Sequence, residues 1–491
     1  MMAMHPSTAN IKHVIVLMLE NRSFDHMLGD IPVDDVDGAS GYNFNLIEPG
    51  GTPFFQTPAA VFQSPHKFDP KHEFENVQLQ LGYASLDMSG FAIDALATAK
   101  LIKGYGTLFP DEQRAIVQTV MNYFPKGSLP GIHSLATQFA VSDRWFASVP
   151  GPTWPNRFFA MMGSCHGKLH MPDGPASVIT AVRSIAAQLG KNSIFSVLGG
   201  GMHKIYSDYT VPLSVLLKGS NRHEPLSQFK ADVKAHTLPA FSWIEPDYSS
   251  DLNKANSQHP PEDIRRGDGL VVEIYNTLRA EDEVWKKSLL VLLHDEHGGF
   301  YDHVEPPETI APDDEPADAK FDFKRLGVRV PAVLVSPWIK QGVVRSDKDK
   351  PVYDHTSLLA FICDLFGLSR SKPALGKRVA TADHFGHADV WSDNLRDVPA
   401  DQLVAEAPEV SGQEAASGAL DTALQGLVAG LHAHARIELN RTTRGALMLA
   451  DGGDAIARQH IADAWNSGLA GRTSDDIGQM VKDIKSTFGA G

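Results

Sequence analysis

Two stretches of this chain place oxygen-bearing side chains directly after an apolar run. Residues 288–293 read Ser-Leu-Leu-Val-Leu-Leu, and Asp295 and Glu296 follow within three positions. Gly298 and Gly299 come next, with His294, His297 and His303 around them. In open α/β sheets, ligands bind just beyond the carboxyl ends of strands. Glycines there let backbone approach a ligand closely. The start of the chain repeats the pattern: Val-Ile-Val-Leu-Met-Leu over 14–19 ends at Glu20 and Asn21. Set side by side in a parallel sheet, Glu20, Asn21, Asp295 and Glu296 form a site for a hard cation. Such oxygen donors suit Ca²⁺, Mg²⁺ or Mn²⁺ better than softer metals.

A third stretch supplies a nucleophile. A strand over 139–142 leads through Pro150-Gly151-Pro152 to Thr153, and Pro155 then sits in the first turn of a helix, where proline is tolerated. This puts Thr153 about at a helix N-cap, where backbone N–H groups and the helix dipole favour an anion. Arg157 lies one turn on, placed to hold a phosphoryl oxygen. Asn156 beside it can donate to a phosphate or serve as a cap. Capping alone is the commoner role for a threonine before a helix; the two carboxylate-ended strands tip the reading toward chemistry. Arg22, Ser23 and Asp25, just after the first strand, read as helix-start capping and loop hydrogen bonds.

The elements that must position these residues alternate. Strands are expected at 14–19, 139–142, 238–244, 288–293 and 330–336, and helices at 156–164, 177–189, 269–279 and 356–366. Alternation of this kind predicts an α/β fold with a mostly parallel sheet and helices on both faces. Residues 34–74 form a long irregular stretch expected to wall the site, and 305–322 an exposed flap. The chain divides into a catalytic domain over 1–398 and a helical appendage over 399–491, with helices at 415–439 and 451–488.

With 44 Lys and Arg against 59 Asp and Glu, the formal charge is −15, which argues against nucleic-acid binding. A phosphorylated substrate stays open, since a metal and local cations can hold one. Cys165 and Cys363 are too few for a disulfide framework and read as buried thiols. No stretch is apolar for long enough to span a bilayer. Residues 1–12 hold no hydrophobic signal core, which leaves the cytoplasm or export by another route. Oligomeric state is not encoded legibly.

Glu20-Asn-Arg-Ser-Phe-Asp-His26, Ser148-Val-Pro-Gly-Pro-Thr-Trp-Pro-Asn-Arg157 and Asp295-Glu-His-Gly-Gly-Phe-Tyr-Asp-His303 together resemble the signatures of the phosphoesterase family. That family holds non-specific phospholipases C and bacterial acid phosphatases. Asp69-Pro-Lys-His72, His259-Pro-Pro-Glu-Asp263, Leu326–Pro331 with Ser336-Pro-Trp338, and Asp354-His-Thr-Ser357 fit the same order. The resemblance implies an alkaline phosphatase-like fold and one divalent metal, Ca²⁺ favoured and Mg²⁺, Mn²⁺ or Zn²⁺ also compatible. Glu20, Asn21, Asp295 and Glu296 would hold it, with the Thr153 hydroxyl as a further ligand. Metal coordination can bring even water from a pKa of about 15.7 to about 7, so a bound cation would activate Thr153. His72 and His259 are expected to bind phosphate and protonate the leaving group. His303 is expected to act in catalysis and His355 to touch substrate, although each also fits a bracing role. His294 and His297 read as structural, and their spacing does not fit the zinc peptidase motif. Threonine in place of serine leans the resemblance toward a phospholipase C acting on phosphatidylcholine-type phosphodiesters. An acid phosphatase acting on monoesters is the alternative.

Overall fold

The computed structural model describes residues 4–171, 190–209, 212–220, 223–249, 251–317, 319–346, 352–370, 375–387, 389–398 and 402–406. The expected helices at 177–189, 415–439 and 451–488 lie outside the described residues.

Eight strands form the central sheet: β1 (His13–Leu19), β2 (Ala140–Val141), β3 (His203–Tyr206), β4 (His223–Glu224), β5 (Phe241–Ile244), β6 (Ser288–His294), β7 (Ala332–Val335) and β8 (Gly342–Val343). Their order across the sheet is β8-β2-β7-β6-β1-β5-β3-β4. β1 pairs in parallel with both β5 and β6, with Leu19 opposite His294. β3 and β4 continue the parallel half. β7 runs antiparallel to β6 and β2. The sheet is therefore mostly parallel, as the alternating pattern predicts. β1 and β6 are central and buried almost throughout, which is why they read as unbroken apolar runs rather than alternating ones.

All five expected strands form. β3 escaped the sequence reading because four residues, two of them His203 and Lys204, carry no period to detect. Four helices matter for the site. α1 spans Phe24–Leu28, α2 Thr153–Met162, α3 Ile264–Arg279 and α4 His355–Leu365. The α2 N-cap is Pro152, which has no side chain able to cap. Thr153 is thus the first helical residue rather than the cap, and its hydroxyl is free for other work.

The stretch at 34–74 is less irregular than expected. Phe44–Asn45 and Phe54–Phe55 pair as a short hairpin. Residues from 54 to 121 gather a second apolar core around Phe68, Val77, Phe91 and Ile116, joined to the rest through Tyr301 and Val328. Cys165 and Cys363 are both buried, and neither is in a disulfide. No helix among the described residues is long and apolar enough to cross a membrane.

Candidate active site

The ends of β1 and β6 meet because the strands are direct neighbours. The Asp295 N–H bonds the Leu19 carbonyl at 3.2 Å, and the Asn21 N–H donates to Asp295 Oδ1 at 3.1 Å. Asn21 sits at φ 59°, a left-handed conformation that turns the chain sharply after the strand. Gly298 makes the crossing possible: a Cβ there would stand 2.2 Å from the Asn21 carbonyl oxygen.

The Asn21 amide is the hub. Its Oδ1 accepts from the Thr153 hydroxyl at 3.2 Å, and its Nδ2 donates to His72 Nε2 at 3.0 Å. His72 Nδ1 then carries the proton and donates to the Pro70 carbonyl at 2.9 Å. The His259 ring stands edge-on to His72, centroids 5.9 Å apart, and its Nδ1 bonds the Pro260 carbonyl. Both rings hold their Nδ1 on backbone, and His72 Nε2 accepts from Asn21. Burial drops each imidazole to a pKa of about 4, so both are neutral at neutral pH.

The acids around this hub are short of partners. Glu20, Asp295 and Glu296 are buried. Glu20 Oε1 and Glu296 Oε1 have no hydrogen bond. His72 Nε2 lies 3.8 Å from Glu296 Oε1 but is itself an acceptor and cannot satisfy it. Burial, reinforced for Glu296 by Asp295 and Glu20, pushes both glutamates well above the usual carboxylate range. Asp295 is also raised by burial, against the pull of Arg157. Unpartnered carboxylate oxygens, the Asn21 amide oxygen and the Thr153 hydroxyl are the kinds of donor that suit a hard divalent cation.

Arg157 is the fixed cation of the cluster. It donates through Nε to Asp295 Oδ2 at 3.0 Å, through Nη1 to Glu245 Oε2 at 2.8 Å and through Nη2 to the Met18 carbonyl at 3.1 Å. Nη2 lies 3.4 Å from Glu20 Oε1. Burial opposes its charge, and Tyr248, Glu245, Asp295 and Glu20 more than offset that, raising its pKa.

With this geometry in view, a sequence model of the phosphoesterase family matches residues 11–369. The chain belongs to the phosphoesterase family. It is a hydrolase acting on phosphate esters. The chain is 34% identical over 455 residues to non-specific phospholipase C6 of Arabidopsis thaliana, covering 86% of this chain and 79% of that protein. It is 25% identical to the non-hemolytic phospholipase C of Pseudomonas aeruginosa, over 82% of this chain and 61% of that one. The lipoteichoic acid synthase LtaP of Listeria monocytogenes superposes with a TM-score of 0.37 at 11% identity, covering 79% of each chain.

Four expected site residues have several protein partners in this structure. Arg157 spends its guanidinium on two carboxylates and a backbone carbonyl, bracing the acids. Asn156 is consumed by the turn before α2: its Nδ2 donates to the Val149, Gly151 and Pro152 carbonyls, and its Oδ1 accepts the Val149 N–H. His355 is fully buried; its Nε2 donates to the Asp295 carbonyl at 2.7 Å and its Nδ1 accepts from Trp145. It props the loop that carries the acids. His303 is engaged at both nitrogens, 2.9 Å from Asp25 and 3.0 Å from Asp37, in a network with Arg329. Its pKa, lowered by burial but raised further by those acids, is pushed up to about 10, which makes it a poor proton donor.

The structural readings hold. His294 and His297 bond Gln258 and Gln80 at 2.7 Å each, pointing to different partners. Ser23 caps α1 through the His26 N–H. Arg22 bonds the Gln258 carbonyl with two nitrogens. The sequence reading gave no role to Glu245 or Asp69. Glu245 follows β5 directly, so the rule that found Glu20 and Asp295 would have found it too. Asp69 is raised to about 6 by burial, with Oδ1 unpartnered.

Proposed function

We propose that this chain is a metal-dependent phospholipase C that cleaves phosphatidylcholine-type phosphodiesters through a phosphothreonine at Thr153. What carries the reading is the Thr153 hydroxyl, at the first position of α2 and bonded to Asn21, whose N–H holds Asp295 while the chain neighbours Glu20 and Glu296 of those two residues keep orphaned oxygens. The names of the relatives support the substrate class. Glu20, Asn21, Asp295, Glu296 and Thr153 would hold one divalent ion, Ca²⁺ favoured. Bound there, the ion supplies positive charge that favours the Thr153 alkoxide and offsets charge on a phosphoryl oxygen.

Thr153 Oγ attacks phosphorus in line, and the bond from phosphorus to the diacylglycerol oxygen breaks. The departing alkoxide takes a proton from His259 or His72. Both rings are neutral at rest, but a phosphate anion beside them favours their protonated forms. Water then attacks phosphorus and gives a proton back to the imidazole that protonated the diacylglycerol, the P–O bond to Thr153 Oγ breaks and returns the threonine oxygen to its starting state, and phosphocholine leaves.

The test compares rates on phosphatidylcholine and on p-nitrophenyl phosphate, after chelation and after adding back Ca²⁺. Expected are loss of both activities on chelation, recovery with Ca²⁺, and faster cleavage of the lipid, with diacylglycerol and phosphocholine as products. Faster hydrolysis of the monoester would transfer the reading to the acid phosphatases of the family. Full activity after exhaustive chelation would overturn the metal assignment.

A further inference from the structure

Three neighbouring parallel strands are each followed at once by a carboxylate: β5 by Glu245, β1 by Glu20 and β6 by Asp295. One side chain reaches all three. Arg157 stands 2.8 Å from Glu245, 3.0 Å from Asp295 and 3.4 Å from Glu20. It lies on α2, one turn beyond Thr153.

Glu245 differs from the other two acids. It is buried but fully partnered: Oε1 accepts the Trp243 indole N–H at 2.9 Å, and Oε2 accepts both Arg157 and the Tyr248 hydroxyl. The guanidinium also lies 5.1 Å from the centre of the Tyr248 ring. No oxygen of Glu245 is left for a cation. Its charge goes to Arg157 instead. A buried guanidinium without that partner would draw more strongly on Glu20 and Asp295, competing with a metal for the same oxygens.

We propose that Glu245 is a positioning residue for the cation site. It holds Arg157 from the side away from the donors. This fixes the rotation of the helix bearing Thr153 and keeps Glu20 and Asp295 available as ligands. The proposal rests on the metal reading above.

The experiment is Mn²⁺ titration of the full chain followed by electron paramagnetic resonance, with Ca²⁺ competition and steady-state kinetics on a soluble phosphate ester. Glu245→Gln keeps shape and removes the charge. It is expected to weaken Mn²⁺ binding by about 10- to 100-fold, the usual cost of losing a group behind the ligands, and to lower kcat more than it raises KM. Glu245→Asp should recover part of the affinity. Tyr248→Phe, which removes one hydrogen bond from the same oxygen, should shift affinity in the same direction by less than about tenfold, and it decides the matter if Glu245→Gln does not fold. Wild-type Mn²⁺ affinity in a folded Glu245→Gln protein, with only thermal stability reduced, would overturn the role. Equal Mn²⁺ binding by the wild type and Glu20→Gln would instead overturn the cation reading, and the role of Glu245 with it.

Discussion

Two buried acid clusters lie a few residues apart along the same two chain segments, and they are electrostatic opposites. Past the strand ends come Glu20, Asp295 and Glu296; a little further on come Asp25 and Asp302. In the second cluster, Arg329 bonds Asp25 and Asp302 at 2.8 Å each, and His303 bridges Asp25 to Asp37. Burial works against the charge on Asp25, but His303 and Arg329 outweigh it and hold its pKa below the usual range. In the first cluster one arginine serves three strand-end acids and leaves Glu296 without a cation. The second cluster is complete as it stands. The first has more negative charge than the protein itself neutralises, which is what a cation-binding site requires. Asp25, Asp302 and His303 do come within ligand distance of one another, yet Arg329 already fills the role a metal would take.

The largest expected effect falls on chemistry. Thr153→Ala should lower kcat by at least about a thousandfold, as loss of a nucleophile does. Mn²⁺ should still bind the remaining four donors, and thermal unfolding should change little. Activity near the wild-type level would remove Thr153 from the mechanism.

Arg329→Met attacks the complete cluster. Removing one partner of a buried ion network typically costs about 3–5 kcal/mol, so urea denaturation should show a loss of that order. A loss below about 1 kcal/mol would mean that the acids there are not held by the arginine.

Glu296→Gln should have the opposite sign. The folded carboxyl has a pKa raised well above its unfolded value. Such a group contributes stability below the unfolded pKa and loses it as pH rises. The substitution should therefore stabilise the chelated protein by about 1 kcal/mol at pH 8 and by less at pH 5, while impairing metal binding. Destabilisation at pH 8 would show that Glu296 is satisfied without a metal.

A pH-dependent effect sharpens the contrast from the other side. His303 has a folded pKa of about 10, so its contribution is fully present below about pH 6.5 and is lost as pH rises through 10. The stability gap between wild type and His303→Gln should be about 2 kcal/mol at pH 6 and should shrink steadily toward pH 10. A gap independent of pH would mean that the ring is not charged.

The strand ends were legible in the sequence for a simple reason. A strand buried on both faces must be apolar, so carboxylates that interrupt the run mark where it leaves the core. Thr153, His72 and His259 were legible through their motifs. For Arg157 and Asn156, sequence shows that a donor is near a phosphate site but not which protein groups claim it first. Three carboxylates and a tight turn claimed these two, and each claim depends on strand order. His303 sits seven residues after Glu296 yet faces the neighbouring cluster, since proximity along a loop does not fix the direction of a side chain. Tertiary partners, not local spacing, decided every one of these cases.

The apolar nucleus of residues 54–121 bears on how this family can diversify. The wall that presents His72 packs around this nucleus and meets the loop of the strand-end acids through Gln80 against His297 and Val120 against Tyr301. Side chains of that nucleus can therefore be repacked without touching the core that surrounds β1 and β6.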